Sequence, residues 1–100
     1  MPTMVIYRGP GVTREAYAPY EAELATRPVP AGGLLHLVGC DADGLWVVDL
    51  WESRAAYEAA TREQINPMLE RFGIPIVAPA VMEVASLLPR NLGATASALT

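Results

Sequence analysis

An α+β domain, a sheet of antiparallel strands with helices on one face, is what this sequence predicts. Three observations carry that prediction. Segments rich in β-branched and aromatic residues alternate with segments of helical spacing, in the order strand, helix, strand, strand, helix, strand. The two middle strands are separated only by Asp41-Ala-Asp-Gly44, a hairpin turn. Hydrophobic residues make up 52% of the 100 residues, and the mean hydropathy of +0.24 is high for so short a chain. The element order is the split β-α-β arrangement of ferredoxin-like domains, with residues 1–89 as one domain.

The first strand is expected over residues 3–8, Thr-Met-Val-Ile-Tyr-Arg, and Gly9-Pro-Gly11 should break it. Thr13 is placed to cap a helix, and Glu15 in its first turn suits the positive end of the helix dipole. Tyr17, Tyr20 and Leu24 then form one apolar stripe, with Pro19 predicting a kink or a later start. Pro28 and Pro30 keep residues 27–33 extended. After the hairpin, Ser53 caps a second helix with Ala56, Tyr57 and Ala60 inward and Arg54, Glu58, Arg62 and Glu63 in water. Asn66-Pro67 reads as a stop and a fresh helix start, with that third helix running to Phe72 and ending at Gly73. The last strand is expected over 76–88, interrupted by Pro79 and therefore at an edge or bulged. Residues 90–100, small and polar, are expected to be a disordered tail.

The hairpin holds the most informative pair. A two-residue turn at Ala42 and Asp43 sets His36 opposite Asp49. A three-residue turn with Gly44 in a left-handed bulge slips the ladder and sets His36 opposite Leu50. Both are open to this sequence. In the first register a lone imidazole faces a lone carboxylate among apolar residues, the setting in which acid–base chemistry is built.

Composition narrows the function. A net charge of −4 and a pI near 4.8 argue against nucleic acid or an anionic membrane as partner. No apolar run is long enough to span a bilayer, and Met1-Pro-Thr-Met4 does not open a signal peptide. The single cysteine, Cys40, lacks an internal partner and a basic neighbour, so a structural role in the reducing cytoplasm is expected. No metal-ligand spacing, phosphate loop or dinucleotide fingerprint is present, so no metal and no cofactor are expected. An antiparallel sheet with helices on one side leaves the other side bare. That bare face carries either Leu34, His36 and Val38 with Val47, Asp49 and Trp51, or the opposite set, and both are too apolar for water. Pairing two copies through it predicts a homodimer.

The runs Gly33-Leu-Leu-His-Leu-Val-Gly39 and Gly44-Leu-Trp-Val-Val-Asp-Leu-Trp-Glu-Ser53 resemble small proteins of the dimeric α/β-barrel superfamily. More narrowly, they are similar to the antibiotic biosynthesis monooxygenase-like group, over residues 3–88. The resemblance implies a homodimer whose sheets form a barrel, with one apolar pocket per subunit between sheet and helices. It also implies a range of chemistries: cofactor-independent oxygenation of polycyclic phenols, aromatic-polyketide cyclisation, isomerisation and haem degradation. Quinone-forming members surround substrate with Asn, Trp, Tyr and Arg. Trp46, Trp51, Tyr57 and Asn66 are of those types, without a residue-for-residue match. His36 does not fall where haem-degrading members place their iron ligand.

Each candidate has a plain structural alternative. His36 is a general base oriented by Asp49, or half of a satisfied buried pair. Trp51, on the parity of Asp49, is a wall for an aromatic ligand or a core anchor, whereas Trp46 on the other parity should pack against a helix. Tyr20 and Tyr57, with Tyr17, are pocket donors or core residues with wet tips. Arg62, Gln64 and Asn66 near the helix break are ligands for an anionic or enolate oxygen, or solvated surface. Glu83 is an edge-blunting charge or a second carboxylate of the site. The expectation is an enzyme working by acid–base groups alone on an apolar, aromatic or polyketide-like small molecule, as monooxygenase or cyclase/isomerase. The alternatives are a non-catalytic ligand-binding or assembly module and a haem-binding protein.

Overall fold

The computed structural model describes residues 1–88, so the expected tail from residue 90 and the domain boundary at 89 lie outside the described residues. The elements are β1 (Thr3–Pro10), α1 (Arg14–Leu24), β2 (Gly33–Asp41), β3 (Gly44–Trp51), α2 (Arg54–Ala60), α3 (Asn66–Arg71) and β4 (Ala80–Glu83). The strands form one antiparallel sheet in the order β2-β3-β1-β4, the ferredoxin-like arrangement.

The hairpin takes the two-residue turn. Asp41 pairs with Gly44, and its Oδ1 accepts hydrogen bonds from the N–H groups of Asp43 (2.9 Å) and Gly44 (3.1 Å). This Asx turn closes the loop without a bulge. Gly44 has φ 136°, and a Cβ there would collide with the Gly9 carbonyl oxygen, so only glycine lets β1 press against the turn. The ladder then sets His36 opposite Asp49. The irregularity lies at the far end, between Gly33 and Leu35, where Leu34 is the extra residue.

Three boundaries differ from expectation. β1 is not broken at Gly9 but pairs with β3 through Pro10. β4 is only four residues long, because its edge of β1 pairs over Thr3 to Ile6 alone. Beyond that point the Tyr7 hydroxyl donates to the Pro75 carbonyl, and Pro79 has no N–H for a ladder. Residues 76–79 therefore run as an unpaired strap. The expected break at Asn66-Pro67 is also absent: Asn66 is itself helical (φ −62°, ψ −44°) and caps nothing. Instead a π-helical turn, Thr61–Ile65, joins α2 to α3, and the Asn66 N–H donates to the Thr61 carbonyl five residues back. The widened turn carries the chain into Pro67 at the start of α3. Pro19 is accommodated inside α1, which begins where the Thr13 cap places it (Oγ1 to Ala16 N–H, 3.0 Å).

The core lies between the helices and one face of the sheet. Tyr17 and Tyr20 of α1 pack with Leu45 and Val47 of β3 and with Met68 and Leu69 of α3. Val5, Trp51 and Ala60 make a second cluster, with Tyr57 and Ile65 against it. The covered face is thus the one bearing His36, Val47, Asp49 and Trp51. The bare face carries Met4, Ile6, Leu35, Leu37, Trp46, Val48, Leu50 and Met82, with Leu35 44%, Leu37 50% and Met82 40% exposed. Trp46 accordingly packs against none of the described helices. Its indole N–H donates to Asp41 (2.8 Å), and the Arg8 guanidinium stacks 4.0 Å from its ring centroid. Cys40 is exposed near the hairpin end rather than part of the core.

Candidate active site

A cavity of about 600 Å³ opens between the covered sheet face, α1, the π-helical turn and the strap. Its walls are mostly apolar, with a small number of polar groups, the usual make-up of a small-molecule site. The strap contributes Ile76, Val77 and Pro79, which is what the unpaired conformation makes possible. Leu34, the extra residue of the β2 irregularity, also lines the cavity.

His36 and Asp49 meet in this cavity. The imidazole Nδ1 lies 2.6 Å from Asp49 Oδ1, a short charge-assisted contact. The side chains keep 34% and 16% of their exposure, so the pair is screened from water without being sealed. With Nδ1–H donating to the carboxylate, Nε2 is left with its lone pair. The Tyr17 hydroxyl stands 3.5 Å from that Nε2, the outer limit of a hydrogen bond. The hydrogen bond to Asp49 raises the imidazole above its ordinary titration range, against the opposing effect of burial. Burial, with the neighbouring phenol and carboxylates adding to it, pushes the Tyr17 phenol far up. Burial and then Asp49 push Tyr20 up to about 12. Both phenols stay protonated near neutral pH and act only as hydrogen-bond donors or neutral surfaces. His36 Nε2 is thus a group of the cavity able to accept a proton.

The remaining expected residues divide. Trp51, Tyr57, Tyr20 and Asn66 line the cavity. The Tyr57 ring stands edge-on to Trp51 at 6.0 Å, and Tyr20 is held between Tyr17 (5.1 Å) and Phe72 (6.0 Å). Arg62 is not brought in: it is exposed on the outer side of the π-helical turn. The cation at the cavity is Arg27, anchored at 2.9 Å by Glu23. Glu83 stays at the exposed end of β4, away from the cavity.

Sequence reading passed over one contributor, Thr61. Tyr17, expected as a pocket donor or a core residue with a wet tip, is 3% exposed with its hydroxyl 3.5 Å from His36 Nε2. Gln64, expected as an oxygen ligand, lines the cavity, and Thr61 joins it there from the same π-helical turn, which helical spacing does not foretell. Together with the Trp51 indole N–H, Thr61 Oγ1 and Gln64 Nε2 are closed off from solvent and have no hydrogen-bond partner among the described residues. Each such group costs about 1–3 kcal/mol. Among the described residues no group of three or more His, Cys, Asp or Glu could hold a metal ion, and no helix is long and apolar enough to cross a membrane.

The fold is shared with several solved structures. A candidate antibiotic biosynthesis monooxygenase of Chloroflexus aurantiacus superposes with a TM-score of 0.62 at 17% identity, over 93% of this chain and 100% of that one. SnoaB, a cofactor-independent oxygenase from Streptomyces nogalater, gives 0.58 at 16% identity, over 89% of this chain and 97% of its own. The monooxygenase of the ActVA-Orf6 gene of Streptomyces coelicolor, solved with nanaomycin D, gives 0.50 at 22%, over 89% and 91%. No family model and no curated protein matches the chain. The chain has the α+β, ferredoxin-like fold of the antibiotic biosynthesis monooxygenase-like proteins.

Proposed function

We propose that the protein is a small, cofactor-independent enzyme that removes a proton from an apolar aromatic or polyketide-like substrate. The observation that carries this reading is the Asp49–His36 pair, opening into the apolar cavity with the Nε2 lone pair presented beside the Tyr17 hydroxyl at 3.5 Å. Asp49 holds the imidazole in the tautomer that presents this lone pair and stabilises the imidazolium once the proton arrives. Trp51, Tyr57 and Tyr20 provide flat walls, and Asn66 a polar contact. An electron-rich carbanion or phenolate formed here reacts directly with dioxygen, one oxygen atom entering as a carbonyl and the other leaving as water. Cyclisation or isomerisation uses the same proton transfer. The solved oxygenases of this fold favour oxygenation.

The test is His36→Ala in oxygen-uptake assays with polycyclic phenols. Loss of turnover with the melting temperature nearly retained at about pH 9, where the neutral imidazole contributes least to stability, supports the base. A variant that keeps turnover, or only melts earlier, favours the other reading, a ligand-binding module in which the pair is structural. A Soret band on haem titration, lost in the same variant, would favour haem instead.

The functional unit we propose is a homodimer joined through the bare sheet face. Leu35, Leu37, Trp46 and Met82 form an apolar surface of a kind that monomers seldom leave in water. A cytoplasmic location is proposed with it, from the single exposed Cys40.

A further inference from the structure

The cavity has two polar poles, and the base accounts for only one of them. At the second, Trp51 Nε1, Thr61 Oγ1 and Gln64 Nε2 lack partners although all three residues line the cavity. They belong to one region. Trp51 packs on Ala60, the residue before Thr61, and Ile65 packs against the same cluster. Thr61 and Gln64 lie three apart in the π-helical turn, and both line the cavity. All three supply donors, and Trp51, 4% exposed, has no means of reaching water.

We propose that this trio is an acceptor-oxygen subsite: the ligand carries a carbonyl or phenolate oxygen that enters between the Trp51 indole and the π-helical turn. This rests on the cavity being a ligand site, but not on His36 acting as a base. Trp51 lies two residues beyond Asp49 on the same face of β3, so the subsite begins about 7 Å along the strand from the base. The ligand class that satisfies both poles is planar and fused, with an ionisable group at one ring and an acceptor oxygen roughly one ring further. A buried donor left unpaired rejects a ligand that lacks the matching acceptor, so the trio selects by oxygen position rather than by size. The atoms are closed off before binding, so Tyr57 or the turn must shift slightly for the oxygen to enter.

A matched pair of soluble probes tests this: anthraquinone-2-sulfonate and anthracene-2-sulfonate, alike in shape and charge but differing in the two carbonyl oxygens. Protein labelled with ¹⁵N at its two indoles is titrated with each. The quinone is expected to bind about tenfold or more tightly and to move the Trp51 indole N–H downfield. The Trp46 N–H, already bonded to Asp41 on the other face, stays in place as the internal control. Thr61→Val with Gln64→Leu should remove most of the preference for the quinone over anthracene-2-sulfonate. His36→Ala should retain the preference even where it abolishes turnover, so the two readings fail separately. Equal affinities, an unmoved Trp51 signal, a preference surviving the double variant, or no binding of either probe would each overturn the subsite.

Discussion

Asp49→Asn is the substitution that bears most directly on the chemistry. It is nearly isosteric, and the cavity should keep its shape. What it removes is the charge at 2.6 Å from His36 Nδ1. A hydrogen bond to a charged group contributes about 1.5–3 kcal/mol. The pair is partly open, at 34% and 16% exposure, so solvent screening discounts it to about 1–2 kcal/mol. Lost from the transition state, where the imidazole becomes cationic, that is about a 5- to 30-fold fall in kcat/KM on the high-pH plateau. The pH profile changes as well. A base works when neutral, so the rate should rise with pH through the raised His36 titration. In Asp49→Asn the largest cause of the rise, the bond to the charged Asp49 carboxylate, is gone, while burial still disfavours the cation. The acid limb should therefore move to lower pH even as the plateau falls. Steady-state oxygen uptake across pH measures both effects. A variant with an unchanged plateau and an unchanged limb would refute the dyad.

Three further outcomes are expected. His36 is raised in the folded state, so its contribution to stability is fully present below the unfolded value of 6.5 and is lost as pH rises through the folded one. His36→Gln should thus lower the melting temperature at about pH 5.5 and do so less at about pH 9, by calorimetry. Leu45, 1% exposed beneath the helices, should cost about 2–5 kcal/mol when cut to alanine, read as a lower denaturant midpoint with unchanged slope. Leu37→Lys, on the bare face and 50% exposed, should convert a dimer to a monomer in native mass spectrometry while circular dichroism stays the same. A wild-type monomer would remove the dimer proposal.

What the sequence by itself determined is local. Thr13 and Ser53 mark helix starts through bonds that span three residues, and the structure has both. Asp41-Ala-Asp-Gly44 marks a hairpin but leaves two registers open, and the structure takes the one in which Asp41 accepts from the Asp43 and Gly44 N–H groups, setting His36 against Asp49. The tertiary structure decided what depends on distant residues. Period-two alternation states that the sheet has two faces, but only helix packing chose which to cover, placing Trp46 outside with Arg8 and the dyad inside. Whether residues 76–79 pair was decided by Tyr7 and Pro75, nearly seventy positions apart (|i−j| = 68). The π-helical turn inserted one residue into the helical count, turning Thr61 and Gln64 into the cavity and leaving Arg62 in water. Tyr17 meets His36 because α1 lies across β2, a contact that no spacing along the chain encodes.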